Sequence, residues 1–364
     1  MRAIVTGGGT GGHIYPALAI ADKIKEKEPD SEILYIGNDI GLEKDIVPKS
    51  GYPMELVSAK WLDRRNLLKL FDTGFSTLRG VIQAGRIMKK FKPEVVIGTG
   101  GFVCVPVMIA GARYGAKCFI HEQNAYPGVA NKTLERFAKK VFLGFEDASK
   151  YFKEPEKHVY AGNPVRNVFY NVDRSEARKA VGIAEEDFVI FSFGGSQGAE
   201  KINECVFQLA REINGKDKIT LVFGTGSQYY DEVLKAFDDQ NIVLSENVRI
   251  KSYIDDMQNY LSAADVVISR AGALSVAETC VCGRAAILIP SPNVTGNHQY
   301  YNAKAVADRG GAVLIEEKDF TGSVLTAEVM RLKDDPALVE SMGKASYSCA
   351  PLDATEIIYC EIKK

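Results

Sequence analysis

Short runs rich in valine and isoleucine alternate with helical patterns along the whole 364-residue chain, and few folds tolerate that rhythm. In the first half "AIVTGG", "EILYIG", "VVIGTGG", "KCFIHEQN", "KVFLGF" and "HVYAGNP" read as strands. After "AGNPVRNVF" the pattern restarts with "FVIFSFGGSQG", "ITLVFGTGS", "VRIKSYI", "DVVISRAG", "AAILIPSP" and "AVLIEE". Helical spacing separates them, and the longest helix is predicted over residues 67–91. Apolar strands joined through helices make parallel sheets covered on both faces. Right-handed crossovers then wind each half into a doubly wound α/β domain. The expectation is two Rossmann-like domains, 1–163 and 164–340, with a helix over 341–364 packing across their junction. Each half opens with a strand running into a glycine loop, "VTGGGTGGH" and "FSFGGSQGA". Ligands of open α/β sheets lie at the carboxyl ends of strands, so facing domains would bring both loops into one cleft.

Composition closes off several function classes. A formal net charge of −2 argues against nucleic acid as a partner. Seven cysteines without a framework spacing fit reduced thiols, and the lone C-x-C at Cys280 and Cys282 reads as buried thiols. No run reaches the ~18 apolar residues of a membrane span, and no basic and then apolar leader opens the chain. Residues 60–92 nevertheless hold nine Lys or Arg against two Asp, together with the only tryptophan, Trp61. Arg64, Arg65, Leu68, Lys69 and Phe71 belong to this stretch. Basic and apolar residues interleaved in that way suit an anionic bilayer surface. A solvated helix over its own core has the same composition.

The glycine loops carry the chemistry. Gly7, Gly9 and Gly12 satisfy G-x-G-x-x-G, a weak signal by itself. A dinucleotide site also needs an acid at the end of the second strand, where Asp39 is displaced, and no P-loop motif occurs. His13 follows the loop at a helix N-terminus, a place that suits anions or polar groups. In "SRAGALSVAE" a strand ends, Gly272 permits a turn, and a helix begins near Ala273. The free amides of Ala273, Leu274 and Ser275 suit a diphosphate, and Glu278 one turn on suits the paired hydroxyls of a ribose. A capping Ser275 and a first-turn helix acid Glu278 explain the same spacing. "HEQNAYPG" places His121, Glu122, Gln123 and Asn124 at another strand end, as for sugar recognition or for holding the loop. No D-x-D occurs to hold a diphosphate through a metal ion.

Taken in order, "GGGTGGHIYPALA", "GTGGF", "HEQNAYPG", "AGNPVR", "GGSQGA", "SRAGALSVAE" and "NHQYYNA" closely resemble glycosyltransferase family 28, over essentially the whole chain. The resemblance implies the GT-B fold, with an acceptor domain first and a UDP-GlcNAc domain second. It implies transfer of N-acetylglucosamine to lipid I on the cytoplasmic side of the plasma membrane, with inversion and with no metal or other cofactor. By motif, Thr10, Gly11, Gly12 and Asn124 would meet the transferred sugar and the cleft floor. Arg166 and Ser196 would contact the diphosphate region, Ile254 the uracil, and Gln299 the sugar hydroxyls. Ala273, Leu274, Ser275, Val276, Ala277 and Glu278 would hold the diphosphate and ribose. His13 is the first candidate base for the acceptor hydroxyl and Glu122 the second. Two positions depart from the family: Arg284 replaces a proline and Val105 a glycine. A UDP-GlcNAc 2-epimerase and another glycolipid synthase of the same fold are the rival readings.

Overall fold

The computed structural model describes residues 1–38, 40–60, 67–170, 172–195, 197–350 and 353–364, and for residues 67–72 the backbone only. The chain divides into two compact units, Met1–Val165 with Asp353–Lys364, and Arg166–Leu352.

Among the described residues of the first unit seven strands follow one another: β1 (Arg2–Thr6), β2 (Glu32–Gly37), β3 (Met54–Leu56), β4 (Val95–Gly98), β5 (Lys117–Glu122), β6 (Lys140–Leu143) and β7 (His158–Tyr160). Their order in the sheet is β3-β2-β1-β4-β5-β6-β7 and all pairs are parallel. Side chains alternate across such a sheet. Ile4, Val96, Ile120 and Val141 therefore pack on one face beside Val107 and Met108. Ala3, Val5, Ile97, Phe119 and Phe142 pack on the other beside Ile14, Ala17 and Ala21 of the helix Gly11–Lys27. The helix Leu67–Phe91 spans the predicted residues. The short strand β3 was not expected, because three residues at a sheet edge leave no periodicity to read.

The second unit has β8 (Phe188–Phe193), β9 (Ile219–Gly224), β10 (Val248–Lys251), β11 (Val266–Ser269), β12 (Ala285–Leu288) and β13 (Ala312–Leu314), ordered β10-β9-β8-β11-β12-β13 and again parallel. Ile190, Leu221, Phe223, Val266, Ile268 and Ile287 bury one face against Ile202, Val206 and Leu209 of the helix Glu200–Ile213. Each sheet reverses its winding once, between β1 and β4 and between β8 and β11. The loops after those strands border the crevice where ligands of such folds bind.

The expected single helix over 341–364 is corrected to two helices. One, Pro336–Ser348, lies within the second unit, where Gly343 approaches Gly283 so closely that a Cβ would meet its carbonyl oxygen at 2.6 Å. The other, Ala354–Lys363, is capped by Asp353, whose carboxylate accepts from the Glu356 amide at 2.9 Å, and it belongs to the first unit. It buries Ile358 and Ile362 against the first helix. Lys27 meets Glu356 at 2.9 Å and Lys363 meets Glu28 at 2.7 Å. Pro351 lies between the two helices in sequence, and proline cannot continue a helix interior.

Candidate active site

At the crevice of the first unit, β1 runs into Gly7, Gly8 and Gly9, and the helix Gly11–Lys27 starts with Thr10 at its cap position. Thr10 is exposed and its hydroxyl makes no capping bond. Gly7 and Gly8 are crowded by the protein itself, whereas Gly9 takes a φ of +87°. A Cβ on Gly7 would meet Thr99 Oγ1 at 2.2 Å, and one on Gly8 would meet Glu43 Oε1 at 2.4 Å. The buried Glu43 carboxylate accepts from the Gly9 amide at 3.0 Å and the Asn38 amide at 3.1 Å. One amide that an anion could have used is therefore already taken by a carboxylate. Sequence reasoning did not find Glu43, since nothing near it marks an acid that turns back onto the first loop.

His13 sits over the loop that follows β4. Its Nδ1 is 3.1 Å from the Thr99 carbonyl oxygen and 3.1 Å from Gln123 Oε1. Both partners only accept, so Nδ1 carries the proton. Nε2 then keeps an open lone pair and has no hydrogen-bond partner among the described residues. Gly100, at φ +112°, makes room for the ring, because a Cβ there would lie 2.6 Å from His13 Nδ1. The "GTGGF" motif was legible as a family signature, but its task of seating His13 was not.

The "HEQN" stretch turns out to be internal. Glu122 is buried, and its carboxylate accepts from the Asn124 amide at 3.0 Å, Asn124 Nδ2 at 3.1 Å, the Gly128 amide at 3.0 Å and Asn131 Nδ2 at 2.9 Å. Four donors occupy the roughly four lone-pair directions of a carboxylate, so no direction is left for a substrate proton. Glu122 as the second base is corrected: it holds the loop. Asn124 spends its Nδ2 on that task.

In the second unit Gly272 caps the helix Ala273–Val281, and its carbonyl accepts from the Val276 amide at 2.9 Å. The amides of Ala273, Leu274 and Ser275 have no acceptor among the described residues. They point out of the positive end of the helix dipole. Ser275 is thus inside the first turn and is not the cap. Asn302 steadies the approach to the turn, donating to the Ala271 carbonyl at 3.1 Å. Val276 and Ala277 are buried, which leaves them a packing role behind the turn.

Glu278 is partly exposed, yet enough protein surrounds its carboxyl to push it up to about 7, with nearby Arg166 pulling the other way. Arg166 is itself exposed, its guanidinium 5.1 Å from the Phe169 ring. The Ile254 side chain is only 8% exposed and packs toward Gly224, so the main chain is what this position offers to a base. Gln299 Oε1 accepts from the Ser291 amide at 2.9 Å. Burial pushes the Cys280 and Cys282 thiols up to about 12 and about 11, so both are packing groups. Arg284 precedes β12, at the amino end of the strand and so away from these carboxyl-end loops, and Val105 lies in the helix Cys104–Tyr114. Ser196, Asp39, Trp61, Arg64 and Arg65 lie outside the described residues, as do the side chains of Leu68, Lys69 and Phe71.

Comparison with known proteins agrees with this layout. Residues 3–143 match the glycosyltransferase family 28 N-terminal domain, and residues 189–356 match its C-terminal domain. A protein of Acetivibrio thermocellus is 41% identical over 363 residues, 100% of this chain and 98% of the relative. One of Alkaliphilus oremlandii is 40% identical over 363 residues, with the same two coverages. Both are named UDP-N-acetylglucosamine–N-acetylmuramyl-(pentapeptide) pyrophosphoryl-undecaprenol N-acetylglucosamine transferase. The crystal structure of MurG from Acinetobacter baumannii is 27% identical, covers 100% of this chain and 99% of that one, and superposes with a TM-score of 0.81.

Proposed function

This chain belongs to glycosyltransferase family 28, and from that premise we propose that it moves N-acetylglucosamine from UDP-GlcNAc to the 4-hydroxyl of the muramyl sugar in lipid I, giving lipid II. The observation that carries the reading is identity of about 40% over the full length with transferases named for that reaction. No other cofactor enters the scheme.

The residues supply a direct chemistry. UDP-GlcNAc lies against the second unit, its diphosphate on the amides of Ala273, Leu274 and Ser275 and its ribose on Glu278. Arg166 and Ser196 add donors to the phosphates, the main chain at Ile254 meets the uracil, and Gln299 the sugar. In the first unit Thr10, Gly11, Gly12 and Asn124 border the sugar, and the acceptor hydroxyl approaches His13 Nε2. The hydroxyl oxygen bonds to the anomeric carbon from the face opposite UDP, its proton passes to Nε2, and the carbon–phosphate-oxygen bond breaks. The configuration inverts. Charge growing on the departing phosphate is met by fixed donors, each of which is worth about 3 kcal/mol where such donors have been removed elsewhere. A divalent cation is not needed.

Incubation with UDP-GlcNAc, with and without a lipid I analogue, tests the reading. UDP release that requires the acceptor and is unaffected by EDTA is expected. Isomerisation of the sugar without an acceptor would make the protein an epimerase, and activity lost to EDTA and restored by magnesium would reject the metal-free scheme.

A lipid acceptor requires a meeting with the bilayer. Among the described residues no helix is long and apolar enough to cross a membrane. Because the acceptor is a lipid, we propose a peripheral attachment, on the cytoplasmic face that the family resemblance implies. The helix Leu67–Phe91 supports it. Phe75, Leu78 and Ile82 are 71%, 57% and 51% exposed at a spacing that shares one face, with exposed Arg79, Arg86, Lys89 and Lys90 on the same helix. Burying one such side chain is worth about 1.5–3 kcal/mol. Phe75→Asp with Leu78→Asp is therefore expected to lower flotation with anionic vesicles about 100-fold while soluble-substrate turnover stays within about twofold. Undiminished flotation would remove this helix as the membrane face.

A further inference from the structure

His13 ends a chain of hydrogen bonds whose direction is fixed at both ends. His121 is fully buried, and its Nε2 lies 2.9 Å from the Gly162 carbonyl oxygen. A carbonyl only accepts, so His121 carries its proton on Nε2 and presents a lone pair at Nδ1. Gln123 Nε2 donates to that Nδ1 at 2.9 Å and lies 3.3 Å from the His121 carbonyl oxygen. The same amide must then turn Oε1 toward His13, where it accepts from Nδ1 at 3.1 Å, beside the Thr99 carbonyl. Resting on the transferase reading above, we propose that His121 and Gln123 are positioning residues that hold His13 as the Nδ1–H tautomer, with the Nε2 lone pair kept for the acceptor proton.

The other direction is closed. Were the Gln123 amide reversed, its oxygen would face His121 Nδ1 and its NH2 would face His13 Nδ1. His121 would then need a proton on Nδ1, giving up the Gly162 bond or becoming charged. Burial holds the His121 imidazole down to about 4, so at neutral pH it stays uncharged. The wrong orientation would also put the His13 proton on Nε2, where it blocks the base. That matters because a free histidine ring prefers the Nε2–H form. Packing keeps the chain in place: Asn163 Nδ2 donates to the Gln123 carbonyl at 3.0 Å, and Asn131 Nδ2 lies 3.3 Å from the His121 carbonyl. Once His13 has taken the acceptor proton, its Nδ1–H remains bonded to two oxygens, which support the imidazolium without a carboxylate.

Four histidines in the whole chain make the test direct. In full-length protein labelled with 15N-histidine, long-range proton–nitrogen spectra, assigned through single His→Gln variants, report each ring's tautomer without substrate. The wild type is expected to show Nδ1–H at His13 and Nε2–H at His121. Gln123→Leu, close in volume, is expected to raise the Nε2–H fraction at His13 and lower kcat about 100-fold, with KM for UDP-GlcNAc within about threefold. The His158 ring, 3.0 Å from Glu135 Oε1, reports that the first unit is still folded. Gln123→Glu is expected to keep Nδ1–H at His13 and recover most of kcat, because a carboxylate still accepts there. A mere packing role predicts neither change. Wild-type His13 found as Nε2–H, or Gln123→Leu with tautomer and kcat unchanged, overturns the proposal. A wild type that transfers no GlcNAc instead overturns the transferase reading, since the tautomers are read without substrate.

Discussion

His13→Ala is expected to lower kcat about 1000-fold while the affinity for UDP changes less than about twofold. The separation follows from where the groups lie. His13 is in the first unit, bonded to Thr99 and Gln123, whereas the free amides of the Ala273 turn and Glu278 are in the second. Removal of the imidazole takes away the proton acceptor and leaves the nucleotide contacts intact. Gly100→Ala is expected to reach a similar result through the backbone. Its φ of +112° is disfavoured for any residue with a Cβ, and the added carbon would lie 2.6 Å from His13 Nδ1. The ring must leave the Thr99 carbonyl or the loop must move, so kcat should fall about 100-fold with UDP binding again preserved. Steady-state kinetics with a lipid I analogue, beside calorimetry with UDP, measure both quantities. A Gly100→Ala enzyme at full kcat would show that the seat of His13 does not matter. A fully active His13→Ala would end its role as base.

The fold was legible because it depends on patterns that a single chain carries. Buried strands such as "EILYIG" and "ITLVFG" are continuous apolar runs with glycine at their carboxyl ends, and the helix Leu67–Phe91 was visible in its own spacing. The tail was misread because Pro336–Ser348 and Ala354–Lys363 look alike as helices, while which unit each packs against depends on partners elsewhere in the chain, such as Gly283 for the first and Lys27 and Glu28 for the second. The site was legible to about the same depth. That the glycine loop lies beside His13, and that the Ala273 turn carries unpaired amides, follows from local sequence. What the glycines admit does not. Gly7 and Gly8 yield to Thr99 and Glu43, residues remote in sequence that only the sheet order brings together. Glu122 looked like a base because ionisable residues at strand ends often do chemistry, and only its four donors reveal that it is a clamp.

Glu278→Gln is expected to separate binding from stability in opposite directions. In the free protein burial pushes the Glu278 carboxyl from 4.5 up to about 7. A carboxyl raised on folding binds more protons in the native state between those two values, so its contribution to stability is lost as pH rises from about 4.5 to 7. The gap of 2.5 between them, at about 1.36 kcal/mol per unit, makes the ionised form cost about 3 kcal/mol above pH 7. Glutamine carries no charge and is relieved of that cost, so the variant should resist urea better than the parent at pH 8 and equally at pH 4. Nucleotide binding runs the other way. Ribose hydroxyls donate to an ionised carboxylate, and losing a hydrogen bond to a charged group costs about 1.5–3 kcal/mol. UDP should therefore bind the variant about 10- to 100-fold more weakly at pH 8, and the parent's affinity should climb more steeply than the variant's from pH 6 to 8, where the terminal phosphate of UDP also ionises in both. A Glu278→Gln protein that binds UDP like its parent would take the ribose away from this residue, and one less stable than its parent at pH 8 would show that the carboxylate is held by attractions strong enough to outweigh its burial.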